Sequence, residues 1–127
     1  MIKIKAISFW KRDPNSVENI QRLQIKVQPK ECLLTIENRG KKEESTLPIE
    51  EYKKILSYLF DDLHIEETEE KYKAFQYEDN INDFNLKFFL EIDYSNCTYL
   101  AIKGIHPFKQ GNYQEIMKFF TKWIQPQ

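Results

Sequence analysis

The sequence predicts an α+β fold: a mainly antiparallel sheet of about six strands with two helices packed on one of its faces. Three observations predict this class. Several stretches alternate apolar and polar residues with a period of two, as strands with one buried face do. Two stretches, 48–62 and 112–124, repeat apolar residues every three or four positions, as amphipathic helices do. The 127 residues include only three glycines and five prolines, which argues against long disordered tracts.

The first half of the chain contains three predicted strands. The first, 2–10, changes phase after Ala6, because the apolar residues before and after it fall on opposite faces, and this indicates a β-bulge. Alternation over 23–28 and again over 32–36 predicts two further strands. Pro29 and Lys30 lie between them and are typical of a turn.

Two loops and a helix complete the first half. The polar stretch 11–19 is predicted to be a connection, and the charged stretch 39–46, with Gly40, a loop. Pro48 suits the first position of the helix 48–62. Asp61 and Asp62 are unfavourable at the negative end of a helix dipole, so the helix is expected to end there.

The second half has the same predicted order of elements. A short strand is predicted at 72–77, followed by a hairpin with strands at 84–92 and 97–103. The last helix, 112–124, begins with Asn112 and has Glu115 three residues later, a capping pair.

The two halves, 1–63 and 71–127, therefore share the order strand, strand, strand, helix. Ala6 and Ala74 both precede a change of phase, and four residues separate Val27 from Cys32 and Ile92 from Cys97. We interpret the pattern as a βββα-βββα pseudo-repeat within one domain, although amphipathic segments of the same type resemble one another without duplication.

Charge is unevenly distributed along the chain. The net charge is −1, but residues 1–42 carry a net +6, 43–93 a net −10 and 94–127 a net +3. Such asymmetry bears on partners and association rates rather than on the fold. No apolar run is long enough to span a bilayer, and the first residues alternate charged and apolar types, unlike a signal peptide. A cytoplasmic location without membrane contact is expected.

The sequence separations of the cysteines and histidines do not match those of a metal site. Cys32 and Cys97 lie within the alternating stretches at positions read as core-facing. Both are therefore expected to be reduced and buried. Neither lies at zinc-ligand spacing from the other, from His64 or from His106.

The sequence also lacks a recognisable catalytic set. There is no nucleophile elbow and no glycine-rich phosphate loop. Glu91 and Asp93 follow Asp79 or Asp83 as in some metal-dependent nucleases, but no lysine occupies the last position of that motif. No enzymatic activity, cofactor or metal is therefore expected.

Recognition surfaces remain, and an acidic run is the first. A small chain with a focused acidic patch and no catalytic set resembles, in general terms, bacterial toxin-immunity proteins and phage anti-defence proteins. This resemblance implies a stoichiometric inhibitor that occludes a basic site on a partner protein such as a toxin or nuclease. The expected contact residues are carboxylates and two aromatic anchors: Asp61, Asp62, Glu66, Glu67, Glu69, Glu70, Phe60 and Trp123.

Two alternatives remain open. A single-stranded nucleic acid, ranked second, would bind the open sheet face through phosphate contacts and stacking. The residues expected for that role are Lys3, Lys5, Arg22, Lys26, Phe89 and Tyr99. The chain could instead be a structural homodimer that associates through the sheet face or a sheet edge, so both monomer and homodimer are possible states.

Overall fold

A six-stranded antiparallel sheet dominates the protein. The structure is a computed structural model that describes residues 3–13, 16–67, 88–104 and 113–124. The strands run in the spatial order β4-β3-β2-β1-β5-β6, and every neighbouring pair is antiparallel. Their bounds are β1 Ile4–Asp13, β2 Ser16–Val27, β3 Cys32–Asn38, β4 Lys41–Leu47, β5 Phe88–Tyr94 and β6 Tyr99–Gly104. The predicted α+β class with six mainly antiparallel strands is confirmed.

The helices also lie close to their predicted places. α1 spans Ile49–Leu56 and continues directly into a π-helix, Ser57–Asp62, while α2 spans Tyr113–Ile124. Pro48 is the N-cap of α1 rather than its first helical residue, with φ −60° and ψ 146°. The helix ends at Asp62, as the two aspartates predict. None of the described helices is long and apolar enough to cross a membrane.

One face of the sheet carries the hydrophobic core. In the middle of the sheet Phe9 lies opposite Leu23 on one side and Leu90 on the other. These residues are almost fully buried. The core cluster joins strand residues with residues from both helices: Ile7, Phe9, Leu23, Ile25, Cys32, Leu34, Leu47, Tyr52, Ile55, Leu59, Leu63, Ile65, Leu90, Ile92, Leu100, Ile102, Ile116, Phe120 and Ile124.

The predicted β-bulge in β1 is present, but it lies at Lys5, before Ala6 rather than after it. Ile4 pairs with Tyr94 and Ala6 with Asp93, so β1 has one extra residue, Lys5, between two consecutive positions of β5. An extra residue of this kind reverses the phase of the side chains that follow. Ile7 and the later core residues of β1 consequently face the core.

The predicted loop at 39–46 is wrong, because most of this stretch forms β4. Arg39 and Gly40 make a two-residue turn with positive φ angles of 53° and 78°, as a type I′ hairpin turn requires. The whole of β4 pairs with β3, yet all its side chains before Leu47 are exposed. An edge strand without a buried face has no apolar alternation, so the sequence pattern does not reveal it.

The predicted polar connection at 11–19 is also largely wrong. β1 continues to Asp13 and β2 begins at Ser16, so the two strands form one long hairpin. In that extension Lys11 pairs with Gln21, whose side chain is only 1% exposed. Its amide Nε2 donates to Asn38 Oδ1 at 3.3 Å. The hairpin extends beyond its hydrophobic residues through backbone hydrogen bonds. A pattern of apolar residues does not reveal such pairing.

The pseudo-repeat is not confirmed. The first half supplies four strands instead of three, and the described part of the second half supplies β5 and β6. The predicted strand at 72–77 and the first residues of the one at 84–92 lie outside the described residues. The six described strands therefore divide four to two between the halves.

Candidate functional site

The sheet face opposite the core, called the open face below, brings together residues that are distant in sequence. One row of cross-strand neighbours, called the aromatic row below, crosses five strands from β4 to β5. Three of its members, Lys42, Arg22 and Trp10, come from three different strands. Over these five strands the row is Lys42, Glu37, Arg22, Trp10 and Phe89, and its register continues to Lys103 on β6.

Two aromatic rings lie at the β5 end of this row. The rings of Trp10 and Phe89 are stacked, with centroids 6.2 Å apart and planes inclined by 22°. Both residues are half-buried, and Arg22, the neighbour of Trp10 on β2, is exposed. Trp10 was not among the predicted site residues, because the sequence places it only near the end of a strand.

A groove of about 470 Å³ runs beside the aromatic row. It lies among three strands that the chain places side by side, β1, β2 and β3, and extends to Lys42 on β4. Charged groups of both signs line it, together with hydroxyl and amide groups. The polar and aromatic residues in its wall are Ser8, Trp10, Arg22, Gln24, Thr35, Glu37 and Lys42.

Two carboxylates lie together on the β5 part of the open face. Glu91 is the register neighbour of Ser8, and Asp93 that of Ala6. Desolvation raises the pKa of Glu91, and the nearby charge of Asp93 and a hydrogen bond with it raise that pKa further. The open face therefore carries negative groups beside its basic ones, and it is not a uniformly basic surface.

A second groove, of about 450 Å³, lies at the end of the sheet where β1 begins. Lys5, Lys26 and Tyr99, three residues predicted for nucleic-acid binding, line it together with Asp93. Tyr99 is 65% exposed. Lys3 lies nearby in the fold and is exposed, and its backbone N–H donates to Ser95 Oγ at 3.1 Å.

The predicted acidic surface is exposed, and its described carboxylates form no ion pair with another described residue. Asp61, Asp62, Glu66 and Glu67 are all exposed, on the π-helix and the turn after it. Ser57 Oγ donates to Asp61 Oδ2 at 3.2 Å. The two ion pairs seen among described residues involve other glutamates. Glu69 and Glu70 lie outside the described residues.

The aromatic anchors predicted beside this acidic surface are partly used by the core. Phe60 and Trp123 are half-buried and pack against the core cluster. Tyr58 and Phe119 do the same, with ring centroids 4.8 Å apart. These four rings therefore contribute to packing against the core, and only part of their surface is exposed.

The two cysteines differ from each other. Cys32 is buried, as predicted, and desolvation raises the pKa of its thiol. Desolvation, with a smaller contribution from Cys32, raises the pKa of Tyr52 to about 12. Cys97 is exposed, so its predicted burial is wrong. It lies in the β5–β6 turn with φ 67°, outside the alternation from which burial was inferred.

Metal-binding geometry is not found in the part of the chain that the structure describes. No group of three or more His, Cys, Asp or Glu side chains there is placed to hold an ion. His64 is exposed, with φ 50°, beside the acidic residues.

Comparison with known proteins gives no relative. No protein-family model matches this chain, and neither a curated protein nor a solved structure is significantly similar to it. Function is therefore inferred from the surfaces described above.

Proposed function

We propose that this chain is a non-catalytic protein-binding domain that docks through its open face and blocks a site on a partner protein. The aromatic row supports the proposal, because it places the Trp10–Phe89 pair beside Arg22, with further charged groups outside them. Protein interfaces concentrate aromatic residues and arginine at their centre and charged groups at the rim. In the aromatic row, too, the aromatic residues and arginine are neighbours and the other charged residues lie outside them. The proposal takes both helices to cover the opposite sheet face.

The anchor of this proposed interface differs from the one that the sequence indicates. Phe60 and Trp123 pack against the core, which leaves less of their surface for a partner. Trp10 and Phe89 lie on the open face, where the groove of about 470 Å³ adjoins Trp10. A partner side chain inserted into this groove would be desolvated against an indole ring, the environment in which binding hot spots occur.

The acidic surface suggests what kind of partner would be blocked. Its four described carboxylates are exposed and have no basic neighbour among the ion pairs of the described residues. Uncompensated charge of one sign attracts a partner of the opposite sign during diffusion. We therefore propose a basic protein, such as a toxin or nuclease, as the target of a stoichiometric inhibitor.

Binding to a purified partner tests the proposal. The partner would be identified by co-purification and mass spectrometry, and its affinity then measured for the wild type and for Trp10→Ala, Arg22→Ala and Lys53→Ala. Lys53 is exposed on α1 and serves as a control distant in sequence. We expect the first two variants to bind about 10-fold to 30-fold more weakly, the range of 1.4–2 kcal/mol for an interface hot spot.

The control variant should bind like the wild type. Binding that is unaffected by both open-face substitutions would reject the open face as the interface. Circular dichroism on each variant separates loss of binding from loss of fold. Arg22→Ala is less prone to destabilise the fold than Trp10→Ala, because Arg22 is exposed and Trp10 is half-buried.

The second groove favours single-stranded nucleic acid as a second candidate partner. Lys5, Lys26 and the exposed ring of Tyr99 line it together. Cationic groups beside an aromatic platform can hold phosphates and a stacked base. Asp93 in the same groove is unfavourable for nucleic acid, because its carboxylate repels phosphate groups. Fluorescence anisotropy with labelled single-stranded RNA and DNA, using Tyr99→Ala as the variant, tests it.

A further inference from the structure

β4 forms one edge of the sheet among the described strands. It is the last strand in the spatial order on its side. Among the described residues, no backbone hydrogen bond outside the sheet ladder involves 41–47. All of its side chains from Lys41 to Thr46 are exposed. An edge that presents free N–H and C=O groups is a template for another strand.

The turn before β4 determines which residues present those groups. The two-residue turn at 39–40 is closed by Asn38 and Lys41. The closing pair of such a hairpin exchanges both of its hydrogen bonds, so Lys41 directs its N–H and C=O toward β3. Because the direction alternates along a strand, the backbone groups of Lys42 and Glu44 point outward.

The charge order of β4 is complementary to itself in an antiparallel pair. We propose that β4 pairs with β4 of a second copy of this chain, about a twofold axis that is perpendicular to the sheet and passes midway between the Glu43 residues of the two copies. In this register Lys42 of each copy lies opposite Glu44 of the other, and opposite charges facing each other across strands are stabilising. Within one copy Lys42 Nζ and Glu44 Oε1 are 4.0 Å apart, which shows that the two side chains share a face.

Neighbouring registers lack this complementarity. A shift of two residues places Lys42 opposite itself or Glu44 opposite itself, and like charges directly opposite are destabilising. A shift of one residue places each outward-directed backbone opposite one that is bonded to β3, so the ladder hydrogen bonds do not form. In the proposed register Glu43 faces its own copy on the axis, with Lys41 of the second copy on the diagonal. This single like-charge contact weakens the dimer, so we expect it to form only at high protein concentration.

The symmetry of this dimer has a consequence for the open face. A twofold axis perpendicular to the sheet keeps the open faces of both copies on the same side. The dimer therefore presents two aromatic rows on one continuous sheet, an arrangement suited to bivalent binding. Dimer formation itself does not depend on the proposed function, since it uses only the edge of β4.

Charge-reversal variants of the full chain test the pairing by analytical ultracentrifugation at low salt over a range of concentrations. We expect the wild type to dimerise reversibly, and Glu44→Lys and Lys42→Glu each to weaken dimerisation at least tenfold. An equimolar mixture of the two variants should regain the dimer, because each Lys–Glu pair is then restored between unlike copies. Glu31→Lys, the same charge change at another exposed position, is the matched control.

Several results would overturn the proposal. They are a wild type that stays monomeric at the highest concentration, a dimer that Glu44→Lys leaves intact, and a mixture of the two variants that stays monomeric. Both substituted residues are exposed, and circular dichroism confirms that each variant is folded. A failed dimer test combined with partner binding that Arg22→Ala weakens would reject only the dimer.

Discussion

The ring of Phe120 on α2 stacks on the ring of Phe9 on β1, with centroids 4.7 Å apart and planes inclined by 14°. Both side chains are 1% exposed. β1 lies between β2 and β5 in the sheet, so this contact joins the last helix of the chain to a central strand. Phe119 adds an edge-on contact, its ring 5.3 Å from that of Phe120.

Removal of this ring should destabilise the protein strongly. We expect Phe120→Ala to lower the free energy of unfolding by about 3–5 kcal/mol, because it removes buried apolar area and leaves a cavity. Chemical denaturation measures the change. Lys118→Ala, at an exposed position of the same helix, should have little effect. Equal effects of the two substitutions would show that the ring contact contributes little.

The cysteines should react with a thiol reagent in two separate phases. Cys97 is exposed and should react quickly in native protein, whereas Cys32 is buried with a raised thiol pKa and should react slowly. Cys97→Ser should remove the fast phase, and Cys32→Ser the slow one. Two fast thiols, or none, would contradict the structure.

The carboxyl of Glu91 should make stability depend on pH. Its pKa is raised in the folded state, so the folded protein binds more protons than the unfolded chain between the two pKa values. The associated stability is present below the unfolded pKa and is lost as pH rises through the folded pKa. Glu91→Gln should therefore reduce the fall in thermal midpoint over this window.

The control for that measurement is Glu31→Gln, at an exposed position in the turn between β2 and β3. Its pH profile should match that of the wild type. A Glu91→Gln variant with an unchanged profile would show that desolvation of this carboxyl has no net effect on stability.

The acidic surface should control how fast a basic partner associates. Replacement of Asp61, Asp62, Glu66 and Glu67 by Asn or Gln should slow association, with a smaller effect on dissociation, since exposed charges act mainly on the encounter. The effect should shrink with added salt, because the screening length at physiological ionic strength is about 8 Å. Surface plasmon resonance separates the two rates. Tighter binding of single-stranded nucleic acid by the same variant would favour the second candidate instead.

The elements with a buried face were predictable from the sequence. The phase change near Ala6 predicted a bulge in β1, and the spacing of Tyr52, Ile55 and Leu59 predicted the buried stripe that runs from α1 into the π-helix. Two aspartates predicted where that helical region ends. Each of these features arises from neighbours in the chain, where burial imposes a period of two or about 3.6.

The remaining features were decided only by the tertiary structure. β4 exists because its backbone pairs with β3, and its exposed side chains leave no periodic trace in the sequence. Cys97 is exposed because the β5–β6 turn removes it from the alternation. The aromatic row brings Trp10, Arg22 and Lys42 into one line through the registers of three consecutive hairpins, and Phe89 joins them through the long-range β1–β5 pair. A periodic pattern shows which face of a strand is buried, but cross-strand neighbours depend on register, which requires the folded sheet.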